Sequence, residues 1–435
     1  MARPSENPGV LPKAGAIWHH RPVRPTGPDW PAFRARFPVA ERAVYMNTGW
    51  SGPSAREVVL AIQSRLEREA FDGPTTLAVR HEKALLVREA RASLASLIGA
   101  GPSGVALMYT TTEGINAVMR GLGLAQGDEV ITCNLEHSSV MVPCYELARQ
   151  LGVQVKVVRS SAEEPLDELA RLFEEAVSPR TKLLVLSHIS YNRGTRLPIE
   201  RIIRAAHGAG AFVLLDGAQS AGQIAIDVRA LGVDAYSFPA HKYVLGPDGV
   251  GALYIRPDLI ERVAPPAVAH GASEYYDFEG HFTPVTASMR KFEMTTHSGP
   301  LLAGVIAAVA LIKEIGIASI ATRILELSTR LTEGLQRIRG AQIRGPLDPA
   351  LRSGLVTFTV ADLDPNETCA ALWQLQRVVG RVVNDKRVRL SCAAFNNEAD
   401  IDAALDAIEQ LATRGLPPGA MSAQQFKEQV AEEDD

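Results

Sequence analysis

Cysteine is scarce and scattered in this chain. Its 435 residues include only Cys133, Cys144, Cys369 and Cys392, with no Cys-x-x-Cys pair. That spacing argues against a disulfide-stapled scaffold or a thiolate metal site, and it fits a reducing cytoplasm. An excess of one charge is missing as well. The formal net charge is −4 and the arginines form no basic block, so nucleic acid and anionic membrane are not expected as main partners. No apolar run is long enough to span a bilayer, and the opening Met1-Ala2-Arg3-Pro4-Ser5-Glu6 has no apolar stretch of a secretory signal. No internal repeat is visible. What is present is ordinary for a globular protein, with 46% hydrophobic and 22% charged residues. A chain of this length is expected to divide into one large and one smaller domain.

Residues 1 to about 30 are rich in proline and arginine (Pro4, Pro8, Pro12, Pro22, Pro25, Pro28, Pro31) and read as an irregular arm without a core of its own. A disordered tail is preferred there over an arm that wraps a partner. From residue 105 onward, apolar β-rich runs at 105–109, 129–133, 154–158, 182–187, 212–215 and 235–238 alternate with helical segments at 115–122, 138–151, 166–177 and 199–207. This alternation predicts an α/β fold, a mostly parallel sheet with helices on both faces. In such a sheet the ligand sits beyond the carboxyl ends of the strands. The segment 300–338 is helical by period and begins after Ser298-Gly299-Pro300, a proline near a helix start. After Gly345-Pro346 the pattern changes to strands at 355–360 and 387–392 and helices at 366–378 and 398–413, a small α+β domain. The expected division is an N-terminal arm over 1–44, a large domain over 45–310, a small domain over 311–416 that takes in part of the N-terminal segment, and an acidic tail over 417–435.

Four polar clusters fall at the ends of predicted strands. Thr110-Thr111-Thr112-Glu113-Gly114 closes one strand and opens a helix, where hydroxyls and free backbone N–H groups suit a phosphate. A threonine there is by itself more often a plain cap. Leu135-Glu136-His137-Ser138 offers a flat imidazole that can stack on an aromatic ring. In Leu214-Leu215-Asp216-Gly217-Ala218-Gln219-Ser220 a carboxylate follows a buried run, where it needs a partner. A protonated pyridine nitrogen is such a partner, and Gln219 in the same turn can reach a ring oxygen. Ala240-His241-Lys242-Tyr243, ahead of Gly246-Pro247-Asp248-Gly249-Val250-Gly251, supplies an amine that can form an imine with a carbonyl cofactor when burial lowers its pKa. Each cluster is weak alone. Together and in this order they supply a phosphate cup, a ring stacker, a pyridinium partner and an imine lysine, which is what pyridoxal 5'-phosphate (PLP) requires. No grouping suggests a metal site.

With these motifs the sequence resembles the class V aminotransferase-like family of fold-type I PLP enzymes, which includes cysteine desulfurases, cystine C–S lyases and isopenicillin N epimerase-like proteins. The resemblance runs from Tyr45-Met46-Asn47-Thr48-Gly49 to about residue 413. It implies that Lys242 bonds covalently to the cofactor, that Asp216 pairs with the pyridinium and that His137 stacks over the ring. Gln219 would contact the ring hydroxyl, and Thr111, Thr112 and His241 would hold the phosphate. The segment Arg290-Lys291-Phe292-Glu293-Met294-Thr295-Thr296 resembles one that reaches into a neighbouring subunit's phosphate site through Thr296, which implies a homodimer with shared active sites. Arg389-Leu390-Ser391, followed by Phe395-Asn396, resembles the segment whose arginine grips an amino acid's α-carboxylate, a task that suits a guanidinium fork. Arg381 matches a second arginine of the C–S lyase branch. Asn47, Trp50 and Tyr191 are further candidates for substrate contact, and the loop with His270, Tyr275, Tyr276 and His281 is another.

The departures narrow the chemistry. Desulfurases carry a nucleophilic cysteine just before the carboxylate-binding arginine, and Gly380-Arg381-Val382-Val383-Asn384-Asp385-Lys386-Arg387 has none. Pro239 stands where many relatives have a phosphate-binding hydroxyl, and Tyr191 replaces a desulfurase asparagine. The expected activity is therefore PLP chemistry at the α-carbon of a small amino-acid substrate, with C–S bond cleavage favoured. An epimerase, racemase or aminotransferase is the alternative, and a non-catalytic PLP-binding protein ranks last.

Overall fold

A computed structural model describes residues 27–431 apart from 162 and 385. Residues 1–26 of the arm expected over 1–44, and the acidic Glu432-Glu433-Asp434-Asp435, lie outside the described residues. Seven strands form the main sheet, in the spatial order Val105–Met108, Gly251–Ile255, Ala235–Pro239, Phe212–Asp216, Thr181–Ser187, Glu129–Cys133 and Gln154–Val158. Only Gly251–Ile255 runs antiparallel to its neighbours. Alternate strand residues feed two cores. Leu107, Ile131, Leu184, Leu186, Val213 and Leu215 face one side with Phe173, Ile202 and Val305. Met108, Val130, Leu183, Val185 and Leu214 face the other with Ile115, Val118 and Leu147. Helices cover both faces, so the strands read as continuous apolar runs. Each fully buried Leu, Ile or Val contributes roughly 1.5–3 kcal/mol relative to exposure.

A second sheet is antiparallel throughout, in the order Ala341–Ile343, Leu355–Val360, Arg387–Ser391 and Arg381–Val383. Helices Ile317–Arg337, Pro365–Gln376 and Glu398–Arg414 give it a separate core around Leu331, Phe358, Leu390 and Ile408. The N-terminal segment pairs Val44 with Val378 and Tyr45 with Val379 in a separate two-stranded parallel sheet, and it reaches the second sheet where Asn47 bridges to Ser391.

Four features refine or differ from the sequence reading. The helical segment expected over 300–338 divides into two helices, Gly299–Ile315 and Ile317–Arg337, bent by 80°. Gly316 lies between them at φ +87°, a left-handed conformation that glycine adopts freely. Helices Arg56–Asp72 and Leu77–Leu97 went unread, because exposed Leu60, Leu66, Phe71 and Leu77 blur their apolar face. The segment expected to be only an irregular arm contains a helix, Trp30–Arg34, and Phe37 stacks on Phe395 at 4.8 Å between centroids. Within the expected tail, Ala423–Ala431 is helical and Phe426 packs on the second sheet's core. Among the described residues no single helix is long and apolar enough to cross a membrane.

Candidate active site

A cavity of about 490 Å³ opens where the main sheet's parallel strands end. Thr111 and Thr112 follow Met108, His137 follows Cys133, and Lys242 follows Pro239, while Ser187 and Asp216 are the last residues of their strands. Gly49 and Trp50 enter from the N-terminal segment. Arg381 and Arg389 enter from the second sheet, where they are register partners on adjacent strands.

Asp216 is 4% exposed and accepts the Ala218 N–H at 2.8 Å. Burial raises its carboxyl pKa, while the Lys242 charge and the Ala218 N–H pull it back. A carboxylate so placed calls for a positive partner. Burial drives the Lys242 amine down to about 8, against the pull of Asp216 and with help from the Arg389 and Arg381 charges. His137 caps helix Ser138–Leu151, its Nδ1 accepting the Ser139 N–H at 3.2 Å, and its ring meets Tyr191 edge-on at 4.8 Å. Burial, and then the charges of Lys242 and the two arginines, push its imidazole down to about 4. It is neutral at physiological pH, as a ring that stacks should be.

The hydroxyl side is equally built. Thr110 accepts the Glu113 N–H at 3.1 Å and caps helix Thr111–Gly121. Thr111 Oγ1 is buried without a partner, and Thr112 Oγ1 lies 2.8 Å from Ser139 Oγ. Ser237 does not stand in for the hydroxyl missing at Pro239, since it donates to the Thr111 carbonyl at 3.0 Å. His241 Nδ1 lies 3.5 Å from Asp248 on the cavity rim. Gln219 Nε2 donates to the Gly49 carbonyl at 2.7 Å, leaving its buried Oε1 unpartnered.

Arg389 is the most demanding group in the site. It is 0% exposed, its Nη1 donates to the Tyr191 carbonyl at 2.7 Å, and its Nε and Nη2 are buried without partners. Burial, and then the Arg381 charge, push its pKa down to about 9. Arg381 lies over the Trp50 ring at 4.0 Å from the centroid. Among the described residues that line the cavity, Lys242, Arg381 and Arg389 are the basic groups beside Asp216, and the unpartnered donors of Arg389 have the geometry that suits a carboxylate.

Two predicted residues are not on this wall. Asn47 is buried just behind it with Oδ1 unpartnered, and Thr296 is exposed at φ +72° on a separate segment. His270, Tyr275, Tyr276 and His281 also lie away from the cavity, on or beside the hairpin Ser273–Tyr276 and Phe282–Pro284. Ser138, Ser139, Ser187 and Ile189 line the cavity without having been singled out as contacts. The two helix-start serines beside His137 carried a readable signal, whereas Ser187 is one polar residue ending an apolar run. All four cysteines are buried and none lines the cavity.

These residues fit PLP. Free hydroxyls at a helix start suit its phosphate, a buried carboxylate its ring nitrogen, and an amine of lowered pKa its aldehyde. Residues 50–403 match the family described as Aminotransferase class-V. The chain belongs to the class-V aminotransferase family. It is a PLP-dependent enzyme of fold type I. Among its relatives is a Methanothermobacter thermautotrophicus protein named "Probable cysteine desulfurase", 31% identical over 78% of this chain and 83% of that one. Isopenicillin N epimerase of Streptomyces clavuligerus is 30% identical over 88% of this chain and 98% of the epimerase. A solved structure of the cystine C–S lyase C-DES, in complex with its reaction product cysteine persulfide, aligns with a TM-score of 0.80. Its sequence identity is 27%, and the alignment covers 86% of this chain and 99% of that one.

Proposed function

We propose that this class-V enzyme cleaves the C–S bond of a cysteine-derived amino acid. The observation that carries the reading is Arg389, a buried guanidinium with unpartnered donors in the same cavity as Lys242 and Asp216. It is suited to an amino acid's α-carboxylate. When bound, PLP supplies an aldehyde for the amine and a ring that accepts the electron pair left at the α-carbon. Lys242 would anchor the cofactor, and its Nζ is suited to take the α-proton, because burial keeps a share of its amine neutral. Asp216 would face the cofactor's ring nitrogen, neutral His137 would offer its ring for stacking, and Thr111, Thr112 and His241 would hold the phosphate. Arg389 orients the α-carbon by its carboxylate. Arg381, over Trp50, receives a second anionic group such as the distal carboxylate of cystine. As the α-proton leaves, the Cβ–S bond breaks and its electron pair departs on sulfur. Cystine and water thereby yield cysteine persulfide, pyruvate and ammonia.

The absence of a cysteine from the cavity wall supports elimination over transfer of sulfur to the protein. One observation favours a second reading, epimerisation, namely the match over 98% of isopenicillin N epimerase. The test is to load the protein with PLP, record its near-ultraviolet and visible absorbance, and add cystine, cysteine and S-substituted cysteines. Pyruvate release that is absent in Lys242→Ala supports the lyase. Inverted α-carbons without pyruvate support the epimerase. A homodimer with shared sites gives Thr296 a role, since it stands away from its own cavity. Sedimentation of a dimer, with weaker cofactor binding in Thr296→Ala, is the expected result.

A further inference from the structure

The chemistry above leaves one carboxyl of the site unused. Glu136 is 6% exposed and directly precedes His137. Its Oε1 accepts the Ser187 N–H at 2.8 Å and the Cys133 thiol at 3.3 Å, and its Oε2 accepts the Ser187 hydroxyl at 2.5 Å, a bond that reverses when the carboxyl carries a proton. Ser187 lines the cavity and is the register partner of Asp216 on the neighbouring strand. One serine thus stands between two buried carboxyls. The titratable groups that face Glu136 come from each surrounding element: Cys133 ending its strand, Cys144 from helix Ser138–Leu151, Tyr191 after strand Thr181–Ser187, and Asp216 from strand Phe212–Asp216. All are neutral or negative, and no cation among the described residues pairs with Glu136. Two ionised carboxylates flanking one serine, with no cation paired to Glu136, are costly in a buried setting, and a proton on one of them relieves that cost.

We propose that Glu136 is a positioning residue of the cofactor site, a neutral acid hydrogen-bonded to Ser187 that leaves the site's negative charge on Asp216 alone. The protonated Oε2 donates to Ser187 Oγ, and the Ser187 hydroxyl is then free to donate towards the cavity. Burial first, and then Asp216, push the Glu136 carboxyl up to about 7 against the Ser187 donors. Above that pH a second negative charge builds up behind Asp216 and tightens the hold on a protonated ring. The inference rests on Asp216 facing the ring nitrogen.

The test uses the PLP-loaded full-length protein. Glu136→Gln keeps the shape and stays neutral at every pH. In the wild type, infrared difference spectra should show a protonated-carboxyl band that fades as pH rises through about 7, and the cofactor absorbance should change over the same range. Glu136→Gln should lack both changes while keeping its cofactor. Superimposable pH profiles, or no such band in the wild type, would overturn the proposal. Ser187→Ala covers the case in which Glu136→Gln does not load. Losing a donor to the charged form should move the step to higher pH, and an unmoved step overturns the proposal. Asp216→Asn separates the two readings. If it leaves absorbance and cofactor affinity unchanged, the reading of Asp216 fails and the inference with it. If it alters them while Glu136→Gln retains the neutral step, only the inference about Glu136 fails.

Discussion

Replacing Arg389 by methionine separates a binding role from a structural one. Two donors stand ready for a carboxylate, the unpartnered Nε and Nη2. A hydrogen bond to a charged group is worth about 1.5–3 kcal/mol. Losing two removes about 3–6 kcal/mol, a fall of roughly 10²- to 10⁴-fold in affinity for an amino acid at about 1.4 kcal/mol per tenfold. Arg389→Lys keeps a charge but not the fork, and should lose roughly 10- to 100-fold, the worth of about one such bond. Stability should respond differently. Methionine leaves the Tyr191 carbonyl unpaired, at a cost of about 1–3 kcal/mol. It also removes a desolvated cation, a relief that can be as large. The two terms oppose, so the melting temperature of the cofactor-free protein should stay near the wild-type value. The assay is a titration of the PLP-loaded protein with amino acids, followed by absorbance, beside a thermal melt. The reasoning is refuted if affinity is unchanged, or if it falls only in step with the loss of folded protein.

Three further outcomes are expected. The Lys242 amine titrates near 8 in the folded chain against an ordinary 10.5, so between those values the unfolded chain binds more protons and stability rises with pH. The cofactor-free protein should therefore melt at higher temperature as pH climbs through that window, and Lys242→Met should lose the rise. Tyr191→Phe removes the hydroxyl that donates to Asn384 Oδ1 at 2.5 Å, while the backbone carbonyl still anchors Arg389. Steady-state kinetics should show KM rising about fivefold, for one hydrogen bond of about 1 kcal/mol, with an unchanged cofactor spectrum. At Gly217 an added Cβ would fall 2.1 Å from Tyr236 Cε1. That ring is pinned by Ser220 at 2.6 Å and His188 at 3.1 Å, so Gly217→Ala should cost about 1–3 kcal/mol in denaturant unfolding and weaken PLP binding by shifting the turn that carries Asp216.

The main sheet was legible because each strand is a short apolar run ending in a polar cluster, and a parallel sheet collects those ends on one edge. That logic points to Thr111, His137, Asp216 and Lys242, which line one cavity. The second sheet's contribution was legible only through the resemblance, since nothing local to Arg389 says that it is buried with idle donors. Ser187 and Glu136 were passed over because a serine ending an apolar run and a glutamate beside a histidine look ordinary. Their coupling exists only through the register that sets Ser187 beside Asp216. The break at Gly316 was hidden because apolar residues continue on both sides of it, and only its positive φ separates the two helices.

The cavity wall draws on residues near 49, 111, 137, 187, 216, 242 and 389, gathered from almost the whole length of the chain. The fit between distant pieces is close. The Gly52 N–H donates to the His241 carbonyl at 2.6 Å, and a methyl at Gly52 would fall 2.2 Å from the Lys242 carbonyl oxygen. Such contacts close very long loops, which makes them late events in folding. During synthesis the large sheet can assemble while the ribosome is still adding the segment that carries Arg389. A truncated product would keep Lys242 and Asp216 yet present a half-open trough instead of a chamber. What the late segment adds is the arginine pair offered to the substrate, so substrate binding, more than cofactor content, distinguishes finished molecules from truncated ones.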